Sequence, residues 1–203
     1  KSLIHIMLIL TDSQRLRIDL HKLCKRIHQT TSDRNRSADC NVMIREFGTD
    51  VRIILTGISM GASTVLMAGG QPLPENVIGV LADCGYTSAK DIICKVISRM
   101  KLPPRLAYPF VKLGARLFGG FDLEESAPVE AVTRAKVPVI FFHGEDDAFV
   151  PCYMSREMYD ACPTKKQLVT VPGAGHGLSY AVEPQRYLSE LLDFFGPEAS
   201  YPE

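Results

Sequence analysis

The sequence predicts an α/β protein, a mostly parallel sheet with helices on both faces, and three observations predict it. Four runs, "VRIILTG" at 51–57, "VIGVLAD" at 77–83, "VPVIFFHG" at 137–144 and "QLVTVPG" at 167–173, are continuously apolar and rich in β-branched residues. Strands of a parallel sheet, buried on both sides, read this way. Helix-patterned segments separate the runs, and strand–helix alternation with right-handed crossovers is what parallel neighbours require. Finally, 203 residues of which 46% are hydrophobic suffice for one good core and leave no room for a second full domain. A single domain over 1–203 is therefore expected.

The elements follow in order. "SLIHIMLIL" after Lys1 has the look of a leader, but no small-residue cleavage site follows and the run is too short to span a bilayer, so a buried strand is expected. Leu16, Leu20, Leu23 and Ile27 have helical spacing, a polar stretch "TTSDRNRSADCN" follows, and a short helix around "VMIREFG" leads to the strand at Val51. A helix over 60–70 follows that strand. The next, "SAKDIICKVISRMK", has Ser88 placed as N-cap and Ile92, Val96 and Ile97 on one face. "SREMYDAC" has Ser155 placed to cap it, and the last helix, "EPQRYLSELLDFF", has Tyr187, Leu188, Leu191, Leu192 and Phe195 as its apolar face. Residues 101–122, with prolines at 103, 104 and 109, interrupt the alternation as a short basic and apolar helical stretch. Both a cap over a site and an ordinary amphipathic surface helix fit it.

Composition narrows the function classes. Twenty-three basic and twenty-three acidic residues give no net charge, so no large field draws in nucleic acid or an anionic membrane, and a small molecule is the expected partner. Cys24, Cys40, Cys84, Cys94, Cys152 and Cys162 contain no CxxC pair and several lie in apolar segments, which points to free thiols and a reducing, cytoplasmic compartment. No transmembrane span is expected, nor any cofactor. His5, His21 and His28 have no partner at metal-ligand spacing and are expected to be structural.

Chemistry concentrates in three short motifs. "GISMG" at 57–61 places Ser59 between two glycines where a strand becomes a helix. The GxSxG pattern alone is weak, arising by chance in roughly six chains of this length per hundred, but the strand-to-helix context is what a serine nucleophile on a sharp turn needs. A helix N-terminus adds partial positive charge there. A serine hydroxyl requires a base to take its proton, and the base requires an orienting acid. "HGEDDAFVP" offers Asp147 just after one strand, with Asp146 the alternative one residue away, and "VPGAGHGLS" offers His176 in a glycine-rich loop after the next. Glu145 reads as solvated, His143 as a brace for the acid loop, and Asp83 as a second-rank acid candidate or a turn or capping residue.

With these motifs in the order nucleophile, acid, base, residues of about 40–196 resemble the α/β-hydrolase family of serine esterases and peptidases. The resemblance implies Ser59 as nucleophile of a catalytic triad, Asp147 as acid and His176 as base, with the backbone N–H of Met60 as one oxyanion donor. It implies a carboxylic ester or related acyl bond as substrate, cleaved through an acyl-enzyme, without metal. Peptidase or acyltransferase chemistry would use the same residues. In the family a strand ending in an HG-type loop supplies the second donor, and residues 1–58 contain no HG. Two explanations stand: the segment is a variant that supplies the donor from a residue such as Thr11 or Ser13, or the gene is truncated or frame-shifted upstream of about residue 40. On the second, the protein is a catalytically weak or inactive hydrolase-like domain, a binding protein or a defective fragment, since one lost donor lowers the rate roughly a hundredfold to a thousandfold. In either case the amino-terminal strands are reduced and 1–40 are atypical. Leu106, Tyr108, Phe110, Leu113, Leu117 and Phe118 serve either an acyl chain or the core. An unpaired sheet edge would invite a homo-oligomer.

Overall fold

In the computed structural model residues 4–8, 44, 45, 48–125 and 127–196 are described. Among these residues five strands, β1 (Ile4–Leu8), β2 (Ile53–Ile58), β3 (Val77–Asp83), β4 (Val139–Gly144) and β5 (Lys166–Val171), lie side by side in sequence order. The last four are parallel, as expected. The amino-terminal strand pairs antiparallel with β2, Ile4 opposite Gly57 and Leu8 opposite Ile53. Strand β4 starts at Val139, two residues later than its apolar run, because Pro138 has no N–H to give a ladder. The Pro138 carbonyl still accepts from Val80 N–H at 2.9 Å.

Pleating sorts the apolar runs between two cores. Ile53, Leu55, Val80, Ala82, Val139 and Phe141 face one side, with α1 (Met60–Gly69), α4 (Pro128–Val132) and α5 (Tyr153–Ala161). Ile54, Leu81, Ile140 and Phe142 face the other, covered by α7 (Pro184–Phe195). Helices therefore cover both faces. Phe141 and Phe142 are wholly buried on opposite sides, each such burial contributing about 1.5–3 kcal/mol. Gly79 leaves the room that Phe195 fills, since a Cβ there would lie 2.1 Å from Cε1 of that ring.

Three local expectations are corrected. In α7 the inward stripe is Tyr187, Leu191, Phe194 and Phe195, while Leu188 and Leu192 are exposed. Two apolar stripes adjoin on this helix, and the one with the larger aromatic surface meets the sheet, with Tyr187 stacked on Phe142 at 3.8 Å. Ser155 caps nothing, because α5 begins at Tyr153 and carries Ser155 inward, fully buried. Residues 101–122 form α3 (Pro104–Gly114) and a π-helical turn (Ala115–Gly119) that pack on α2 (Ala89–Arg99) rather than the core. Only Tyr108 of its apolar residues is buried, and Leu106, Phe110, Leu113, Leu117 and Phe118 face outward.

Ser88 caps α2 as expected, its hydroxyl oxygen accepting from Asp91 N–H at 3.0 Å. The short helices α4 and α6 (Ser179–Val182) have no pattern in the sequence that announces them. Cys84, Cys94, Cys152 and Cys162 are free thiols. Among the described residues no helix is long and apolar enough to cross a membrane. Thr11, Ser13, His21, His28, Cys24, Cys40 and the helix expected over 16–27 lie outside the described residues.

Candidate active site

Three parallel strands end at the same edge, and each delivers part of the site. At the end of β2 the chain turns so sharply that a Cβ on Gly57 would lie 2.2 Å from the carbonyl carbon of Gly61. Only glycine fits there. Ser59 takes φ 58° and ψ −117°, a conformation that costs a non-glycine residue about 1–3 kcal/mol and survives only where its surroundings enforce it. Here the enforcement is Ser59 N–H donating to Asp83 O at 2.8 Å, with α1 starting at the next residue. Its hydroxyl projects beyond the strand ends, and Met60 lies exposed at the helix start.

The acid and base loops are stitched to each other. Gly144 closes β4 against the next loop, a Cβ there falling 2.2 Å from Ala174 O, and Asp146 N–H donates to that same carbonyl at 3.0 Å. Asp147 turns inward, its side chain wholly buried. One carboxylate oxygen accepts from Phe149 N–H at 2.8 Å and Val150 N–H at 2.9 Å, leaving Oδ2 for His176 Nδ1 at 2.7 Å. Asp146 and Glu145 are exposed, so of the two candidate acids it is Asp147 that meets the imidazole.

On its other side His176 Nε2 lies 2.9 Å from Ser59 Oγ. A carboxylate can only accept, so Nδ1 carries the proton and Nε2 presents a lone pair to the serine hydroxyl. Phe149 packs edge-on against the imidazole at 5.1 Å between ring centroids. Ile58, Met60, Phe149 and Leu178 are all exposed at this edge, giving it an apolar rim.

His143 sits under the acid loop. Its Nε2 faces Val150 O at 2.8 Å, which requires an N–H, so Nδ1 accepts from the Ser155 hydroxyl at 2.6 Å. Burial lowers its pKa and favours the neutral ring. Nε2 is also 3.4 Å from Asp147 Oδ2. The ring thus braces the turn carrying Asp147, and Ser155 is its partner rather than a helix cap.

Asp83 ends β3 buried beside the site but does not reach His176. It accepts from the Ser179 hydroxyl at 2.9 Å and from Tyr187, and burial raises its pKa to about 6. Its backbone holds Ser59 and its side chain holds the residue three beyond His176, so Asp83 joins the serine turn to the base loop. Cys84 follows with φ 48°, buried, its thiol pushed up to about 12 by burial and then by the charge of Asp83. Neither Cys84 nor Ser179 carries a sequence signal, because both act through position. Among the described residues Cys84, Asp147 and His176 offer ligand atoms within 4.8 Å of one another. Both ring nitrogens and both carboxylate oxygens are already engaged in hydrogen bonds and the thiol resists ionisation, so this grouping is poorly suited to hold a cation.

Comparison with known proteins agrees with this architecture. A family model described as serine hydrolase (FSH1) matches residues 92–178, a span that includes Asp147 and His176 but not Ser59. The α/β hydrolase domain-containing protein aho-3 of Caenorhabditis elegans is 38% identical over 125 residues, 61% of this chain and 35% of that protein. An esterase of Pyrococcus furiosus superposes with a TM-score of 0.57 at 19% identity, over 78% of this chain and 58% of the esterase. A putative non-heme bromoperoxidase, BpoC, of Mycobacterium tuberculosis gives 0.53 at 20% identity, over 81% and 73% of the two chains. The chain spans less than half the length of the curated relatives it matches. The chain has the α/β-hydrolase fold and is similar in sequence to serine hydrolases and to an α/β hydrolase domain-containing protein.

Proposed function

We propose that the protein is a serine hydrolase that cleaves a carboxylic ester or related acyl bond through an acyl-enzyme, with Ser59, His176 and Asp147 as its triad. The observation that carries this reading is the continuous hydrogen-bond chain from Ser59 Oγ to His176 Nε2 and from Nδ1 to Asp147 Oδ2, at 2.9 and 2.7 Å. Ser59 Oγ attacks the carbonyl carbon while Nε2 takes its proton. Asp147, fixed by two backbone N–H groups, holds the imidazole tautomer and stabilises the imidazolium. The protonated ring then gives its proton to the departing alcohol, and water, deprotonated by the same ring, releases the acyl group.

The tetrahedral oxyanion needs preorganised donors. The Met60 N–H, at the amino-terminal end of α1, is the first, in the positive field of that helix. Thr11 and Ser13, the sequence candidates for the second, lie outside the described residues. The apolar rim of Ile58, Met60, Phe149 and Leu178 supports a substrate whose acyl part is hydrocarbon, a small molecule and not a polymer read by charge. We read the chain as one domain, with 101–122 an appended helical element. The test is an activity-based fluorophosphonate probe. Wild-type protein becomes labelled and Ser59→Ala does not; labelling that survives the substitution rules the reading out.

A further inference from the structure

Helix α3 is amphipathic with its apolar stripe turned outward. Leu106, Phe110, Leu113 and Leu117 recur at helical spacing, and Phe110 is 76% exposed, Leu106 and Leu117 each 68%, with Phe118 in the following turn at 92%. Tyr108, Lys112 and Arg116 recur at the same spacing on another face of the helix. Tyr108 donates to Glu124 at 3.1 Å, and Lys112 and Arg116 pair with Glu124 and Asp122. These contacts anchor the helix through its polar side chains. Met100, Leu102 and Phe121 in the flanking segments are exposed as well. Bulky hydrocarbon exposed at helical spacing is the kind of surface that marks an interaction site.

The charge around it selects the partner. Residues 92–121 hold six cations, Lys95, Arg99, Lys101, Arg105, Lys112 and Arg116, and no acid, in a chain whose charges balance as a whole, and of the six Lys112 and Arg116 pair with Glu124 and Asp122. Lys101 and Arg105 are exposed, and among the described residues neither takes part in an ion pair. Net neutrality does not cancel this, because charges farther away than about 8 Å are screened at physiological salt. Bulky hydrocarbon interleaved with such cations on an exposed helix matches an anionic bilayer surface, with the side chains entering the headgroup boundary and the cations meeting lipid phosphates.

The face also adjoins the site. The Arg99 guanidinium at the end of α2 lies 5.8 Å from the Phe149 ring centroid, and Phe149 packs on His176. We propose that the basic, apolar face built by α3 and its flanks, residues 99–121, docks the protein on anionic lipid bilayers and so presents Ser59 at the membrane surface. That the lipid phase delivers the acyl substrate rests on the hydrolase reading; the docking does not.

The experiment is co-sedimentation with vesicles of equal parts phosphatidylcholine and phosphatidylglycerol, run beside turnover of a soluble short-chain ester. The wild type pellets with these vesicles, pellets less at high salt, and stays in solution with pure phosphatidylcholine. Phe110→Asp with Phe118→Asp, and separately Lys101→Glu with Arg105→Glu, lower the bound-to-free ratio about tenfold or more. Both leave soluble-ester turnover unchanged, which also shows that they fold. Wild-type protein that turns over ester but ignores anionic vesicles overturns the docking and leaves the function standing. Vesicle binding without turnover does the reverse. A concentration-dependent dimer that Phe118→Asp dissociates, with no vesicle binding, overturns the proposal in favour of a second copy of the chain.

Discussion

Replacing Asp83 by Asn changes how stability depends on pH, by an amount that follows from its burial. The carboxyl lies at the end of β3 with a pKa of about 6 against an ordinary 3.8, desolvation outweighing the hydrogen bonds from Ser179 and Tyr187. A carboxyl raised in the folded state stabilises it fully only below the unfolded value, and that contribution is lost as pH rises through the folded one. The window therefore runs from about 4 to about 6. At 1.36 kcal/mol per pKa unit the whole loss is about 3 kcal/mol, most of which falls between pH 4 and pH 7.5. Asparagine cannot ionise and still offers an oxygen to Ser179. Urea unfolding of both proteins at the two pH values is the assay, and Asp83→Asn is expected to improve relative to wild type by about 2–3 kcal/mol between the acid and the neutral measurement. A stability difference that is the same at both values refutes the argument, because Asp83 would then titrate alike in folded and unfolded chains.

Other substitutions probe the site's supports. Gly57→Ala drives a methyl into the Gly61 backbone and should cost about 3 kcal/mol or more, seen as a lowered unfolding midpoint or no folded protein. Ser155→Ala leaves the buried Nδ1 of His143 without its donor and should cost about 1–3 kcal/mol in urea unfolding. Asp147→Asn keeps the acceptor for Phe149 and Val150 N–H but lets His176 take the wrong tautomer. Ester turnover should fall by a factor on the order of 10⁴, the loss that the same change produces in a serine protease triad, with the circular dichroism spectrum unchanged.

What is legible in the sequence follows from which forces act locally. Strands buried on both faces are continuous hydrocarbon, so β2 to β5 announce themselves, and Ser88 caps α2 because capping is decided within three residues. Features decided by distant neighbours stay hidden. Which stripe of α7 turns inward depends on the room Gly79 leaves for Phe195 and on Phe142, which stacks on Tyr187, both far away in the chain. The direction of β1 is likewise invisible in an apolar run, since pattern carries no polarity along the strand.

Ser59, Asp147 and His176 stand out in the sequence because each occupies a loop directly after a strand, where glycines and small residues advertise a turn that exists for one side chain. The groups that hold those three in place have no such context. His143, at a strand end, reads as a brace for the loop that follows, but its partner does not show, and Ser155 looks like a helix cap until ring and hydroxyl meet at 2.6 Å. Asp83 is the instructive intermediate. Its position at a strand end makes it a candidate acid, yet Asp147 has two backbone donors and His176, whereas Asp83 has two hydroxyls and a buried setting that resists its charge. Two carboxylates at neighbouring strand ends are thus separated by their donors: backbone N–H groups and an imidazole hold the one, and desolvation leaves the other to tie the serine turn to the loop of His176.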